Sequence, residues 1–137
     1  MIHFRRRRKR QTIGGAIVET VSGLFIVIPL ILFLVDAIAM VLAQTQNDAL
    51  AKRCARAAAS EKNSGAATTA ISKVITGWSS PMINNASCSI VSFDPQGTVE
   101  VQTRVTFVFP VQVPFVGVTQ QEFVADATEP VVGNLPL

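Results

Sequence analysis

The chain contains no tyrosine, one tryptophan, one histidine and two cysteines among 137 residues. His3 and the pair Cys54 and Cys88 cannot make a zinc-ligand spacing. No glycine-rich phosphate loop and no nucleophile motif occurs. The acids Glu100, Glu122 and Asp126 are scattered and read as solvent-facing strand residues. These absences argue against an enzyme and against a bound metal or cofactor. Charge is also sparse, at 15% of residues, and unevenly placed. Six of the twelve basic residues form the run Arg5, Arg6, Arg7, Arg8, Lys9, Arg10, while nine acids are spread over the remainder. Only Phe4 accompanies the basic run, so aromatic stacking with nucleic acid is not encoded there. Anionic lipid headgroups suit it better, each basic residue contributing about 1 kcal/mol near the surface.

What the sequence does have is one long apolar run. Thr20 to Leu42 carries Asp36 as its single charge, and a helix needs about 20 residues to cross the hydrocarbon core. It is apolar nearly all round, unlike a surface helix with one polar face. Basic residues flanking a membrane helix stay cytoplasmic. The basic N-terminus is therefore expected inside and residues after about Gln44 outside, although Lys52, Arg53 and Arg56 reduce the asymmetry. Val41-Leu42-Ala43 would serve as a signal-peptidase site. However, the run exceeds the usual secretory h-region of about 7–15 residues and contains Pro29 and Asp36. Retention of the helix is the favoured expectation.

Beyond the membrane, Gln44 to Ser60 lacks proline and glycine and is rich in alanine, so the helix should continue as a stalk. Ala43, Asn47, Leu50, Cys54, Ala57 and Ala58 give it one mildly apolar stripe. Glu61 to Gly65 breaks the helix. A second helix is predicted over Ala66 to Trp78, with Ala67, Ala70, Ile71, Val74 and Trp78 on one face. Turns follow at Ser79-Ser80-Pro81 and Asn84-Asn85. Cys88 to Phe93 reads as a short strand. Asp94-Pro95-Gln96-Gly97 reads as a hairpin turn in which proline presets one dihedral and glycine accepts a positive one. Val99, Val101, Thr103, Val105, Phe107 and Phe109 alternate with polar residues, which is the period of a strand with one buried face. Pro110 and Pro114 end it, and Gln121 to Thr128 supplies a last strand. The expectation is an α+β fold, with a long membrane helix and stalk packed on a small antiparallel sheet with one additional helix. Both cysteines fall outside the cytoplasm, where disulfides persist. A Cys54–Cys88 bridge is expected over two buried thiols.

The segment between the basic run and the helix narrows the reading. Gln11-Thr12-Ile13-Gly14-Gly15 is followed by Ala16-Ile17-Val18-Glu19 and then the apolar helix. This resembles the class III (type IV pilin-like) leader, in which a prepilin peptidase cuts on the cytoplasmic side after a glycine. A cut between Gly14 and Gly15 puts Glu19 at the fifth mature position, where that family places a glutamate. Glu19, Pro29-Leu30, Asp36, Gln44 to Asn47 and Ala51 to Ala58 also occur in the order seen in the TadE-like minor pseudopilins of tight-adherence (Flp-type) pilus systems. The C-terminal strand segments are similar too. In this family an aromatic usually follows the glutamate, whereas Thr20 stands here.

The resemblance implies three parts: a basic cytoplasmic leader over 1–14, a transmembrane helix over 15–43, and an extracytoplasmic stalk and α+β domain over 44–137, pilin-like in form. It implies an inner (cytoplasmic) membrane location, a prepilin peptidase and other pilins or pseudopilins as partners, and a role in pilus assembly. It also implies that Glu19 meets the free amine of a neighbouring subunit, although attraction to the positive end of its own helix would serve as well. Asp36, an acid within the apolar run, is a candidate for subunit interaction. Simple reach to the interface fits it equally. Ser22 and Gly23 could lie at a helix–helix contact. The alternative to all of this is a single-pass, membrane-anchored extracytoplasmic binding or envelope protein that is never processed.

Overall fold

The computed structural model describes residues 13–110 and 119–133. The basic run and Pro114 lie outside these residues. The element order is α1 (Ile13–Ala59), α2 (Ser64–Thr76), β1 (Ile83–Phe93), β2 (Thr98–Val108) and β3 (Gln120–Pro130). The three strands form one antiparallel sheet in the order β1-β2-β3. This is the α+β arrangement expected from the sequence, with a long N-terminal apolar helix, a second helix and a three-stranded sheet.

Helix α1 is a single element of 47 residues and holds Pro29 within it. Its N-terminal part stands free, while its C-terminal part forms one layer of the core. Leu50, Cys54, Ala55 and Ala58 are fully buried against Val99, Val101 and Val105 of β2, with Ala67 and Ile71 of α2 closing the side. The small residues of the stalk let the helix approach the sheet closely. The larger β-branched side chains come from the strand, where they fit a pleated surface.

A second apolar cluster lies nearer the membrane. Ala39 and Ala43 pack with Phe107, and Met40, Met82, Phe109 and Phe123 surround them. Phe107 meets Phe109 edge to face, with ring centroids 5.1 Å apart.

Strand β3 runs one residue earlier and two later than expected and β2 stops one residue short of Phe109; three larger differences have a visible cause. Helix α2 starts earlier, at Ser64, because the Oδ1 of Asn63 accepts the Ala66 N–H at 2.9 Å and caps the first turn. It ends at Thr76, so Trp78 follows the helix and packs half-buried against the core from the loop. Strand β1 begins at Ile83, and Asn84-Asn85 lies inside it rather than in a turn. A register shift between Ile83 and Asn85 absorbs the extra residue, as a bulge does.

The β1–β2 turn forms over Asp94 to Gly97. The Gly97 N–H donates to the Asp94 carbonyl at 3.1 Å, and the Gln96 N–H donates to Asp94 Oδ1 at 3.0 Å. Gly97 does not take up a positive φ. A side chain there would instead run into the Asp94 carboxylate. The glycine answers a need for space, not for a left-handed backbone. After β3, Val132 and Gly133 donate to the Ala59 carbonyl at 2.9 and 3.3 Å, tying the end of the sheet to the end of α1.

Candidate functional site

From Gly14 to Val35 every residue of α1 is exposed except the half-buried Leu32. At about 1.5 Å per residue this bare stretch is roughly 33 Å long, close to the hydrocarbon thickness of a bilayer of about 30 Å. A core helix of a water-soluble domain would be covered. This one presents Phe25, Ile26, Ile28, Leu30, Phe33 and Leu34 to its surroundings. It is one N-terminal helix long and apolar enough to span a membrane, which suggests a single-pass membrane protein.

The globular part begins to cover the helix at Asp36. Asp36, Ala39 and Ala43 are buried in succession, and Asn47 follows on the same face. The apolar run expected over 15–43 therefore gains a covered face in its last third. Residues 14–35 are bare apart from Leu32, whereas over 36–43 one face (Asp36, Ala39, Ala43) is covered and Ile38, Val41 and Leu42 stay exposed. Asp36 retains 4% exposure, and its Oδ1 has no hydrogen-bond partner. It does not reach out to water beside the membrane.

Glu19 is exposed, on the bare stretch. It is the seventh residue of α1, beyond the first turn in which the helix dipole acts on a charge. Seventeen residues separate Glu19 from Asp36, about 25 Å of helix, so the structure does not bring these acids together. Gly14 and Gly23 meet nothing that a methyl group would touch. Packing within the chain therefore gives no reason for glycine at either place, although glycine in a helix costs about 1 kcal/mol relative to alanine.

The structure does bring the two cysteines together. Cys54 is fully buried on α1 and Cys88 is half-buried on β1. Both are free cysteines, and Cys88 packs against the core cluster that contains Cys54. The hydrogen bond from Cys88 holds the Cys54 thiol below its ordinary pKa, against the opposing effect of burial. Cys88 is pushed strongly up, first by that same hydrogen bond, then by burial, then by the charge on Cys54.

Among the described residues no group of three histidine, cysteine or acidic side chains is placed to hold a metal ion. Two open surface hollows lie along α2, lined by residues such as Glu61, Thr69 and Lys73. On the outer face of the sheet, Gln102 donates to Asp126 at 3.0 Å, and Arg104 pairs with Glu122 at 3.4 Å. These are exposed contacts of small energetic weight.

Sequence reasoning missed the buried polar link from Thr103 to Asn47. A polar residue on each of two apolar faces was its visible signal. It also missed the contact of Ser80 with Gln46, at 2.7 Å, which nothing in the residue pattern announces. No family model, no curated protein and no solved structure matches the chain.

Proposed function

We propose that the protein is a minor pseudopilin of a tight-adherence (Flp-type) pilus or a related secretion system, contributing to assembly through its membrane helix. The observation that carries this reading is the position of Gly14 and Glu19 relative to the bare helix. Gly14-Gly15 lies in the first turn of α1, with Gln11, Thr12 and Ile13 between it and the basic run. Glycine weakens helix there, which favours local unwinding for a peptidase at the membrane surface. Glu19 stands near the start of the apolar stretch with no partner among the described residues. A carboxylate in that setting is costly, about 2.5–3.5 kcal/mol at a helix centre and less toward the edge. The free amine of a neighbouring processed subunit would compensate it. The globular domain would then lie in the extracytoplasmic compartment, with the basic leader in the cytoplasm.

The test is the intact mass of the protein isolated from membranes of its native host. Loss of residues 1–14 is the expected result, followed by loss of fibre incorporation in Glu19→Ala. A full-length mass in cells that contain the peptidase overturns the reading and leaves a membrane-anchored extracytoplasmic domain.

A further inference from the structure

Helix α1 can cross a bilayer in two registers, and its own residues choose between them. In the first, the bare stretch 14–35 fills the hydrocarbon and the globular part stands clear of it. Glu19, which is exposed, would then lie about 7.5 Å inside the apolar layer. The exposed Ile38, Val41 and Leu42 would face water. In the second, Glu19 marks the inner boundary. About 20 residues of upright helix cross the hydrocarbon, so the outer boundary falls near Ala39. The carboxylate then sits at the edge, where its cost is least. Ile38 enters the hydrocarbon, and Val41 and Leu42 fall within the interfacial layer above it. Tilting the helix would draw them deeper.

The second register carries the domain down with the helix. Cover of α1 begins at Asp36, below that boundary, and the end of the sheet packed at Ala39 and Ala43 brings Met82, Phe107 and Phe109 to the same level. This end is uncharged. From Phe107 to Pro110 and from Thr119 to Gln121 there is no charged side chain, and the eight residues between Pro110 and Thr119 have none in the sequence. The first charges met on the sheet are Glu122, opposite Thr106, and its partner Arg104. The opposite end of the domain carries Asp94 in its turn and the Arg56–Glu129 pair.

We propose that the Met82–Phe107–Phe109 end of the domain is a lipid-contacting surface, set into the outer interfacial layer of the bilayer beside α1. The partner is the lipid itself, at the level where acyl chains meet headgroups. An uncharged, partly aromatic end can enter that layer without taking a charge out of water. The burial of Asp36 follows from the same placement. At this depth an acid on the lipid side of the helix would be costly, and it lies instead on the face that the domain covers. The contact rests on α1 spanning the membrane. It is independent of cleavage at Gly14 and of entry into a fibre.

The test uses the full-length chain in vesicles of phosphatidylethanolamine and phosphatidylglycerol, with Trp78→Phe as background and one tryptophan returned at a time. Lipids brominated near the carbonyl end of the acyl chain, or near its methyl end, quench tryptophan at those two depths. Leu30→Trp reports the middle of the span and is expected to lose more emission to the methyl-end bromines. Phe109→Trp and the exposed Pro110→Trp are expected to lose more to the carbonyl-end bromines and to be shielded from iodide. Phe93→Trp, beside the far turn of the sheet, is expected to be untouched by either lipid. If Leu30→Trp is quenched while Phe109→Trp and Pro110→Trp answer only to iodide, the proposal fails and the span stands. If Leu30→Trp is not quenched, both fail. Shielding of Phe109→Trp and Pro110→Trp from iodide and bromolipid alike would assign this end to a second protein chain and overturn the proposal. Photolabelling of the wild-type chain by a diazirine-bearing lipid, mapped by mass, needs no variant. Labels are expected over 107–110 as well as 38–42, and labels confined to the helix overturn the proposal.

Discussion

The Thr103 hydroxyl on the central strand donates a 2.8 Å hydrogen bond to Oδ1 of Asn47 on the stalk, and both side chains are fully buried. It is a polar pin between two otherwise apolar layers. The Nδ2 of Asn47 has no partner, so this bond is the one compensation for placing a carboxamide there. Thr103→Val preserves shape and removes the donor. The expected loss is about 1–3 kcal/mol, the penalty of an unsatisfied buried polar group. Replacing both partners, as Asn47→Leu with Thr103→Val, is expected to recover most of it. Urea unfolding of the detergent-solubilised chain, followed by Trp78 fluorescence, checks both. A single variant that unfolds at the wild-type urea concentration would show that the pin is not felt.

Gly133 and Gly97 make a contrasting pair. A Cβ on Gly133 would lie 2.7 Å from the carbonyl atoms of Glu61 and the Ser60 oxygen, all backbone. At Gly97 the obstacle is the Asp94 side chain, on an exposed turn. Backbone at the end of α1 cannot move without breaking the ties from Val132 and Gly133 to Ala59, whereas the Asp94 carboxylate can swing away. Gly133→Ala is therefore expected to destabilise by about 1–3 kcal/mol, as overpacking does. Gly97→Ala should cost less. Parallel thermal melts rank the two, and the reverse order would refute the assignment of rigid and yielding neighbours.

The architecture was legible in the residues for a clear reason. Period-two alternation from Val99 to Phe107 fixes which face of β2 is buried, and the same residues line the core. The alanine-rich stripe of the stalk likewise marks the face that packs. What the pattern could not convey was where the sheet meets the helix along its length. Asp36 to Ala43 is as apolar as the stretch before it, so composition assigns both to lipid. The packing of Phe107 and Met82 covers one face of it, at Ala39 and Ala43, and leaves Ile38, Val41 and Leu42 exposed. The early start of β1 was hidden because Asn84-Asn85 is a strong turn signal, overridden by pairing with β2 and accommodated by a bulge. The candidate site was legible residue by residue, since Gly14, Glu19, Asp36 and both cysteines stand out by chemistry. Their relations were not, because the proximity of Cys54 to Cys88 and the separation of Glu19 from Asp36 are properties of the packed chain.

Asp36 has one oxygen buried without a donor, on the face that carries Ala39 and Ala43. Such an acceptor costs about 1–3 kcal/mol relative to a satisfied or apolar site. Asp36→Leu is therefore expected to raise stability of the isolated chain by about 1 kcal/mol or more, within that same penalty. If the oxygen is kept free for a donor from a neighbouring subunit, the variant should be more stable and yet less able to assemble. Urea unfolding and incorporation into membrane complexes separate the two effects. A fall in stability would mean that the carboxyl is compensated within its own chain.

Oxidation of Cys54 and Cys88 would close the loop that contains α2 and the start of β1. In the chain-entropy account a loop of this length contributes about 3–4 kcal/mol by restricting the unfolded state. Cys88 packs against the core cluster that contains Cys54, so the native state should need little rearrangement to accept the bond. The bridged chain is therefore expected to unfold at higher urea than the dithiol, with the difference abolished by a reductant. Cys54→Ser and Cys88→Ser should each remove the response to reductant; Cys54→Ser also buries a hydroxyl in the apolar core and is expected to lower the reduced-state midpoint, whereas Cys88→Ser, half-buried on the edge strand, should change it little. Equal midpoints for bridged and reduced wild type would mean that strain in the folded state offsets the restriction of the unfolded one.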